Sequence, residues 1–415
     1  MFNPKKFKSK KACVLGAGKS GQAVFELLEQ KKFNVVLKNT EDDVLGYDFY
    51  IKSPGISFNN AVIKKIVAQK KPIFSELEVG LAFAPNGINI IAITGTNGKT
   101  TTTELTSKIF KQHIKDKKLK NSVFTCGNIG FPVSSFATKI KKGDFLVLEL
   151  SSYQLEDSTY FKPTVSALLN ITNDHVFHHG SFSKYIKAKC KIFGNQNKSD
   201  FLIINQRDVL VKKLTARAKP KILHFAMPKK LTPPKIKGGH NLQNAMASYQ
   251  MANAMGISIS SIQKAFDNFK GVEHRIEEFA KINDITFIND SKATNVDSTI
   301  TALKTFCKKE NKNIFLILGG KDKGDSYKPL KKYIDASIKK VLVIGNAEKE
   351  IVRDLKITNK LVLSKTMEEA VNFAFKTAKK GDIVLLSPAC SSFDCYKNFE
   401  IRGKDFKQLV KKLSS

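Results

Sequence analysis

The sequence is poor in arginine and contains no tryptophan. Five arginines stand against 65 lysines, and 37 acidic residues leave a formal net charge of +33. A protein that reads phosphates or bases would concentrate arginine among aromatic side chains, whereas these lysines are spread along the whole chain. The charge therefore predicts a solvated, lysine-rich surface, and nucleic acid is not expected as a partner.

Cysteine pairs and long apolar segments are also lacking. The six cysteines include no C-x-x-C pair, which argues against a disulfide framework and a structural zinc site. No apolar run approaches the roughly 18 residues of a membrane span, and the start, M-F-N-P-K-K-F-K-S-K, lacks the apolar core of a signal peptide. We expect free thiols in a cytoplasmic protein with no membrane partner.

The length and the order of apolar segments predict several α/β domains. A chain of 415 residues with 42% hydrophobic content can form two to four domains, each with its own core. Short apolar runs alternate with helical patterns, as a mainly parallel sheet requires. A hairpin is predicted over residues 276–288, turned at Asn283 and Asp284, before a last α/β region. We predict domains at residues 1–86, 87–271 and 272–415, the first and third Rossmann-like and the second of the P-loop ATPase type.

Residues 94–101 read T-G-T-N-G-K-T-T between an apolar run and a helical pattern. A strand that enters a glycine turn and then a helix presents backbone N–H groups to anionic oxygens. Lys99 would reach the terminal phosphates of a nucleotide, and Thr100 would hold Mg²⁺. The general phosphate-loop pattern has glycine five residues before Gly98, where this chain has Ile93, so the match is partial. We predict a phosphate cradle here.

Two later stretches place polar side chains where strands end. Glu149 interrupts the strand of G-D-F-L-V-L-E-L-S-S near its carboxyl end, where a buried carboxylate favours Mg²⁺ coordination. The next strand leads into His175, His178 and His179. Without a cysteine or glutamate partner zinc is a weak interpretation, so one histidine as a Mg²⁺ ligand or site organiser is preferred, with solvated loop histidines as the alternative.

A complete G-x-G-x-x-G occupies residues 16–21, between a strand and a helical pattern. A nicotinamide enzyme would end its second strand with an acidic residue for the ribose, but this strand ends in Lys38, Asn39 and Thr40. NAD is therefore not expected. A tight turn of a doubly wound domain, and a site for another nucleotide or a diphosphate, both stay open.

Eight motifs together resemble the Mur ligases in one consistent order. They read T-G-T-N-G-K-T-T, E-L-S-S-Y-Q-L-E, N-I-T-N-D-H, A-K-C-K-I-F, H-N-L-Q-N-A, H-R-I-E, N-D-S-K-A-T-N and L-S-P-A-C-S-S-F-D-C-Y-K-N-F-E-I-R-G. The last two are similar to the D-glutamate-adding branch of that family. The resemblance extends from Val14 to Phe406, and it implies a UDP-sugar-binding first domain, an ATP-binding second domain and a D-glutamate-binding third domain.

The resemblance implies an ATP-dependent amide ligase of cytoplasmic peptidoglycan precursor synthesis. The carboxylate of UDP-N-acetylmuramoyl-L-alanine would attack the γ-phosphate to form an acyl phosphate, and the amine of D-glutamate would then displace phosphate. Two Mg²⁺ ions and cationic side chains would offset the repulsion between carboxylate and phosphate. A monomer is implied as well.

The resemblance also implies roles for single residues. The catalytic residues would be Lys99, Glu149, His175 and Lys189. Lys189 matches the lysine that the family carbamylates with carbon dioxide, although composition alone predicts a solvated charge there. The metal ligands would be Thr100, Glu149, His175 and carbamylated Lys189. The ATP-binding residues would be Gly95, Thr96, Asn97, Gly98, Lys99, Thr100, Thr101, Asn241, Arg275 and Asp290. The substrate-binding residues would be Gly18, Ser20, Asn39, Thr40, Gly55, Asn128, Ser151, Lys292, Thr294, Lys323, Ser392 and Phe399.

Three residues depart from the family pattern. Asn39 stands where an acidic residue is usual, Lys19 replaces an apolar residue in the first glycine turn, and His178 is unusual for its place. Two alternatives accompany the main interpretation. A folylpolyglutamate synthase shares the central loop but has no nucleotide-sugar domain ahead of it, and a basic nucleic-acid-binding ATPase is motivated only by the +33 charge.

Overall fold

The described residues form three sheets, whose central strands are buried on both faces. The computed structural model describes residues 2–174, 176–307 and 312–413. Alternate side chains of one strand enter two different cores: Leu316 and Leu318 pack on one face of the third sheet, and Phe315 and Ile317 pack on the other. This burial explains the continuous apolar runs, because a parallel sheet is covered by helices on both sides.

The first sheet has four parallel strands in the order β2-β1-β3-β4. Its strands are β1 (Lys11–Leu15), β2 (Asn34–Lys38), β3 (Phe49–Lys52) and β4 (Ile73–Ser75). Its helices are α1 (Pro4–Phe7), α2 (Lys19–Gln30), α3 (Ala61–Ala68) and α4 (Glu76–Ala82). The glycine turn after β1 therefore lies at the carboxyl edge of the sheet.

The second sheet has six parallel strands in the order β10-β9-β8-β5-β7-β6. Its strands are β5 (Asn89–Thr94), β6 (Val123–Gly127), β7 (Phe145–Glu149), β8 (Val165–Leu168), β9 (Phe201–Ile204) and β10 (Lys221–His224). The helices are α5 (Lys99–Lys117), α6 (Ser152–Glu156), α7 (Val176–His179), α8 (Phe182–Gly194), α9 (Val209–Thr215), α10 (Gly239–Ala254) and α11 (Ile259–Asp267), with a 3-10 turn at Val133–Ser135. Strand β5 lies between β7 and β8, so their carboxyl ends surround its loop.

The third sheet is mixed and has the order β11-β12-β16-β13-β14-β15, with only β11 antiparallel to its neighbour. Its strands are β11 (Glu277–Ile282), β12 (Ile285–Asn289), β13 (Ile314–Gly319), β14 (Ile338–Ile344), β15 (Leu361–Leu363) and β16 (Ile383–Leu386). The helices are α12 (Val296–Phe306), α13 (Lys331–Ser337), α14 (Glu348–Leu355), α15 (Met367–Thr377) and α16 (Phe399–Lys412), with 3-10 turns at Lys328–Leu330 and Thr358–Lys360. The predicted hairpin is confirmed, since Asn283 and Asp284 both have positive φ, as the tightest hairpin turn requires.

The three sheets divide between two compact units. Residues up to 235, with 242–269, form the first unit and carry the first two sheets, while residues 236–241 and those from 270 onward form the second. The α/β class and the mainly parallel sheets are confirmed, and the domain boundaries at residues 86 and 271 stay predictions. The six cysteines are free thiols, as expected. Within the described residues, no helix has both the length and the apolar character needed to cross a bilayer.

Candidate active site

The loop between β5 and α5 has the geometry of an anion cradle. Gly98 caps α5 with φ 86°, and a Cβ there would lie 2.5 Å from Asn244 Oδ1. A Cβ on Gly95 would lie 2.9 Å from the Leu169 side chain, so both positions need glycine. The first turn of α5 begins at Lys99, so the backbone N–H groups at this helix N-terminus point toward the loop. These donors and the helix dipole favour an anion at this loop.

Asn170 holds this loop from the neighbouring strand, a role that the sequence analysis missed. The Asn97 N–H donates to Asn170 Oδ1 at 2.8 Å, and Asn170 Nδ2 donates to the Asn97 carbonyl at 3.0 Å. Strand β8 ends at Leu168, and the chain then contacts the loop, where the Thr96 N–H donates to the Asn170 carbonyl at 3.0 Å. Asn170 lies in the N-I-T-N-D-H motif, so the motif was a signal but the local pattern could not show this contact.

Tyr185 supports the same loop from α8 and was also missed. Its hydroxyl lies 2.8 Å from Thr96 Oγ1, which also accepts from the Thr172 N–H at 2.9 Å. Tyr185 is fully buried. The loop is therefore held by side chains of two other segments.

Two lysine ammonium groups converge on one carbonyl of the loop. Lys99 Nζ donates to the Gly95 carbonyl at 2.9 Å and to the Thr96 carbonyl at 2.8 Å. Lys189 Nζ, which reaches the loop from α8, donates to the same Gly95 carbonyl at 2.8 Å. Lys189 is 2% exposed, so the solvated charge that composition predicted there is wrong. Burial, followed by the nearby charge of Lys99, holds the pKa of Lys189 well below its ordinary value.

The predicted metal ligands in the first unit line the carboxyl edge of the second sheet. Glu149 ends β7 and is 1% exposed. Its Oε1 accepts a hydrogen bond from Asn128 Nδ2 at 2.7 Å, and its carbonyl accepts from the Asn128 N–H at 2.8 Å. Thr100 and Thr101 are buried in the first turn of α5. His175, the fourth predicted ligand, lies outside the described residues.

Hydroxyl and carboxylate oxygens are the ligands that Mg²⁺ prefers, so Thr100 and Glu149 fit that ion. The backbone donors of the loop and the ammonium of Lys99 fit the phosphates of a nucleotide. Ser151, predicted to contact substrate, caps α6 in a reciprocal capping box with Gln154. The residues of this edge therefore match a nucleotide with its magnesium ion.

The glycine turn of the first sheet forms a second cradle in the first unit. Gly16 has φ 92°, and a Cβ on Gly21 would lie 1.8 Å from the Gly16 carbonyl oxygen. Ser53 Oγ donates to that carbonyl at 2.9 Å. The predicted substrate residues Gly18 and Ser20 lie at the start of α2, and Asn39, Thr40 and Gly55 follow β2 and β3 at the same edge. The Asn39 N–H donates to Asp42 Oδ2 at 2.7 Å, so an acidic residue lies beside the position where the family has one.

The second unit carries the remaining predicted nucleotide contacts. Arg275 Nε is buried and has no hydrogen-bond partner among the described residues, which suits an anionic or ribose oxygen. Asp290 is 3% exposed and accepts from Ser387 Oγ at 2.8 Å, and burial raises its pKa to about 7 against the opposing charge of Arg275. Asn241 is buried at the start of α10. Burial and then the charge of Arg275 lower the pKa of His240 to about 4, so its ring is neutral.

The predicted D-glutamate contacts also lie in the second unit, around a buried arginine. Arg402 is 1% exposed and donates to Ser291 Oγ at 3.0 Å, to the Ser291 carbonyl at 2.8 Å and to the Cys390 carbonyl at 3.1 Å. The Ser291 hydroxyl donates to the Phe399 carbonyl at 2.8 Å, and Lys292 Nζ lies 5.2 Å from the Phe399 ring. Arg402 thus ties three predicted site segments together, a role that the sequence analysis missed.

The other predicted D-glutamate contacts flank this arginine in the fold. Ser392 is buried after β16, in the segment whose Ser391 carbonyl accepts from Arg402 at 3.3 Å. Thr294 and Lys323 are half-buried, the first beside Lys292 and the second in the loop after β13. A lysine and several hydroxyls suit a dicarboxylate.

Comparison with known families matches two parts of the chain. Residues 93–236 match the Mur ligase middle domain, and residues 274–390 match the Mur ligase glutamate ligase domain. The chain is 46% identical to the UDP-N-acetylmuramoylalanine--D-glutamate ligase of Elusimicrobium minutum, with 100% of both chains covered. It is 35% identical to the enzyme of the same name from Clostridioides difficile, covering 98% of this chain and 99% of that one.

Solved structures show the same fold. The UDP-N-acetylmuramate-alanine ligase of Thermotoga maritima aligns with a TM-score of 0.62 at 19% identity, covering 97% of this chain and 99% of that one. The MurF ligase of Thermotoga maritima in complex with ADP aligns with a TM-score of 0.64 at 18% identity, covering 99% and 96%.

Proposed function

The chain belongs to the Mur ligase family, and we propose that it joins D-glutamate to UDP-N-acetylmuramoyl-L-alanine while ATP is converted to ADP and phosphate. The reaction belongs to cytoplasmic synthesis of peptidoglycan precursors, and the enzyme acts as a monomer. The observation that carries the proposal is the convergence of Lys99 and Lys189 on the Gly95 carbonyl, at the loop where a nucleotide phosphate fits. A ligase of this class must bring a carboxylate and a phosphate together, so it needs the cation of Lys99 at the phosphates and, in Lys189, a group that can become an oxygen ligand for Mg²⁺.

The first step transfers the γ-phosphoryl group of ATP to the alanine carboxylate. Lys99 neutralises the phosphate oxygens, and the N–H groups at the start of α5 orient them. The carboxylate oxygen forms the new bond to phosphorus, and the bond to the ADP oxygen breaks. The amine of D-glutamate then attacks the acyl carbon, an amide bond forms, and phosphate and a proton leave.

Lys189 takes part as a carbamate. Its neutral amine attacks carbon dioxide, a C–N bond forms, and the nitrogen loses a proton, so that the amine becomes an anionic oxygen ligand. The buried position supports this reaction, because burial and the charge of Lys99 both favour the neutral amine. Carbamylation also prevents a second positive charge beside Lys99 at the Gly95 carbonyl.

Mg²⁺ would be held by Thr100, Glu149, His175 and the carbamate of Lys189, and it supplies positive charge to the phosphates. Asn128 orients the Glu149 carboxylate through its 2.7 Å bond. We assign the uridine diphosphate end of the substrate to Gly18, Ser20, Asn39, Thr40 and Gly55, and its sugar and alanine end to Asn128 and Ser151.

In the second unit, Asn241, Arg275 and Asp290 are assigned to the nucleotide. The buried Arg275 Nε supports this assignment, since it needs an acceptor. The D-glutamate contacts are assigned to Lys292, Thr294, Lys323, Ser392 and Phe399.

Phosphate release tests the proposal. With ATP, Mg²⁺ and UDP-N-acetylmuramoyl-L-alanine, release should depend on D-glutamate and fail with L-glutamate. Release that needs a folate substrate would favour a folylpolyglutamate synthase. Phosphate release that is stimulated by DNA or RNA and does not depend on D-glutamate would contradict the proposed ligase activity.

A further inference from the structure

Glu156, His178 and His179 form a cluster that the ligase reaction does not use. Glu156 ends α6 and the two histidines end α7, so the fold brings together residues from separate segments. Glu156 Oε2 lies 3.3 Å from His178 Nε2, and Glu156 Oε1 lies 3.1 Å from His179 Nδ1. One ligand atom from each residue lies within 4.8 Å of the other two. The glutamate partner whose absence from the motif made zinc a weak interpretation is therefore supplied by α6.

The separations suit ligands of a single metal ion. Zn²⁺ binds imidazole nitrogen and carboxylate oxygen at about 2.0–2.2 Å, which places tetrahedral ligand atoms about 3.4 Å apart. Charge-assisted hydrogen bonds between such groups are shorter, at about 2.7–2.9 Å. The 3.3 Å distance to His178 is close to the ligand separation, while the 3.1 Å distance to His179 also fits an ordinary N–H···O hydrogen bond.

The rings are held in place by neighbours that leave the inward nitrogens for a metal. His179 Nε2 lies 3.0 Å from Ser152 Oγ, so the ring can donate to the hydroxyl while Nδ1 faces Glu156. Most metal-binding histidines are fixed in this way through their second nitrogen. The His178 ring stacks on Tyr153 with centroids 3.8 Å apart. The two histidine side chains are 5% and 0% exposed.

The surroundings select the class of ion. The cluster lines a cavity of about 480 Å³, from which water can complete the coordination. Lys184 and Lys187, both exposed, line the same cavity, and Lys191 Nζ donates to the Glu156 carbonyl at 2.5 Å. Mg²⁺ and Ca²⁺ prefer ligand sets made of oxygen atoms, which two imidazoles do not supply. Two imidazoles and one carboxylate suit Zn²⁺ and related transition metals.

We propose that Glu156, His178 and His179 bind one Zn²⁺ ion, with water as the fourth ligand. The ion cross-links α6 to α7. The site is independent of the ligase reaction, because none of its residues is assigned to ATP, to Mg²⁺ or to a substrate.

Zinc titration of the metal-free full-length protein tests this site. The titration uses a competing fluorescent chelator with excess Mg²⁺ and without nucleotide or substrate. Wild-type protein should show one strong site, and Glu156→Gln and His178→Ala should each weaken it by at least about 100-fold. Ser152→Ala should weaken it by about 10- to 100-fold, as loss of a supporting contact does. The exposed His224 provides the matched control, and His224→Ala should bind zinc as wild type does.

Two outcomes would overturn the proposal. Equal zinc affinity in wild type and Glu156→Gln means that the ion binds elsewhere. Loss of zinc in Glu149→Gln but not in Glu156→Gln assigns the ion to the predicted Mg²⁺ ligands. Glu156→Gln keeps the size of the side chain, so it decides the question even where His178→Ala does not fold. No step measures ligase activity, so failure here leaves the proposed reaction unaffected.

Discussion

The buried ion pair between Lys52 and Asp157 allows a quantitative prediction. Lys52 ends β3 of the first sheet and Asp157 follows α6 of the second, with 2.9 Å between Nζ and Oδ1 and both side chains 0% exposed. Replacing Lys52 by methionine keeps most of the volume but leaves the carboxylate buried without its cation. Loss of one partner of a buried pair costs about 3–5 kcal/mol, and we expect a loss of that size in the free energy of unfolding of the first unit.

The loss should depend on pH. Burial raises the pKa of Asp157 above its ordinary value, and the charge of Lys52 opposes that shift. A carboxyl group whose folded pKa is raised contributes stability that is fully present below its unfolded pKa and is lost as pH rises through the folded pKa. In Lys52→Met the opposing charge is gone, so the folded pKa rises further. The variant should therefore lose more stability at about pH 8 than at about pH 5.

Urea unfolding at both pH values measures the effect through the transition midpoint and slope. Asp157→Asn should lower the free energy of unfolding less than Lys52→Met does. In Asp157→Asn, Lys52 Nζ still donates to the Ile56 carbonyl at 2.5 Å and lies 4.9 Å from the centroid of the Phe58 ring. The exposed Lys264 provides the control, and Lys264→Met should change little at either pH. A Lys52→Met loss below about 1 kcal/mol, or one that is equal at both pH values, would refute the reasoning.

Three further changes test the site. Lys189→Ala should abolish D-glutamate-dependent phosphate release, and added short carboxylates should restore part of that release. Lys187 is exposed, and Lys187→Ala should keep the activity. Full activity of Lys189→Ala would exclude the carbamate. Asn170→Ala removes the side-chain oxygen that accepts from the Asn97 N–H. Loss of such a hydrogen bond costs about 1–3 kcal/mol, so kcat/KM for ATP should fall roughly tenfold or more. An unchanged kcat/KM would contradict the role of Asn170. In Arg402→Lys the ammonium group cannot replace the several N–H donors of the planar guanidinium. The thermal unfolding temperature should fall and KM for D-glutamate should rise. An unchanged KM would show that Arg402 contributes to stability alone.

The strands, turns and glycine loops could be predicted from the sequence because their signals are local. The apolar run Ile383–Leu386, for example, forms β16. The turn at Asn283 and Asp284 could be predicted because asparagine and aspartate tolerate positive φ. The loop of residues 94–101 was predicted as a phosphate cradle because glycine, strand and helix are adjacent in the chain. Such features need no knowledge of distant contacts.

The contacts that organise the site could not be predicted, because they join segments far apart in the chain. Asn170 reaches a loop 73 residues earlier, and Arg402 reaches Ser291 across 111 residues. Glu156 and the two histidines of α7 are separated along the chain by β8 and contact one another only in the folded structure. Asparagine, arginine and glutamate are common surface residues, so their types alone gave no reason to expect burial at these positions.

Burial sets two lysines apart in a chain that carries 65 of them. Of the lysines that the structure describes, Lys52 and Lys189 are the two that are almost fully buried. An ammonium group is removed from water only where a specific partner or reaction compensates for lost hydration. Lys52 has the Asp157 carboxylate, while Lys189 meets carbonyl oxygen and a second ammonium group nearby. That environment disfavours a cation, and the proposed conversion to an anionic carbamate would remove the conflict.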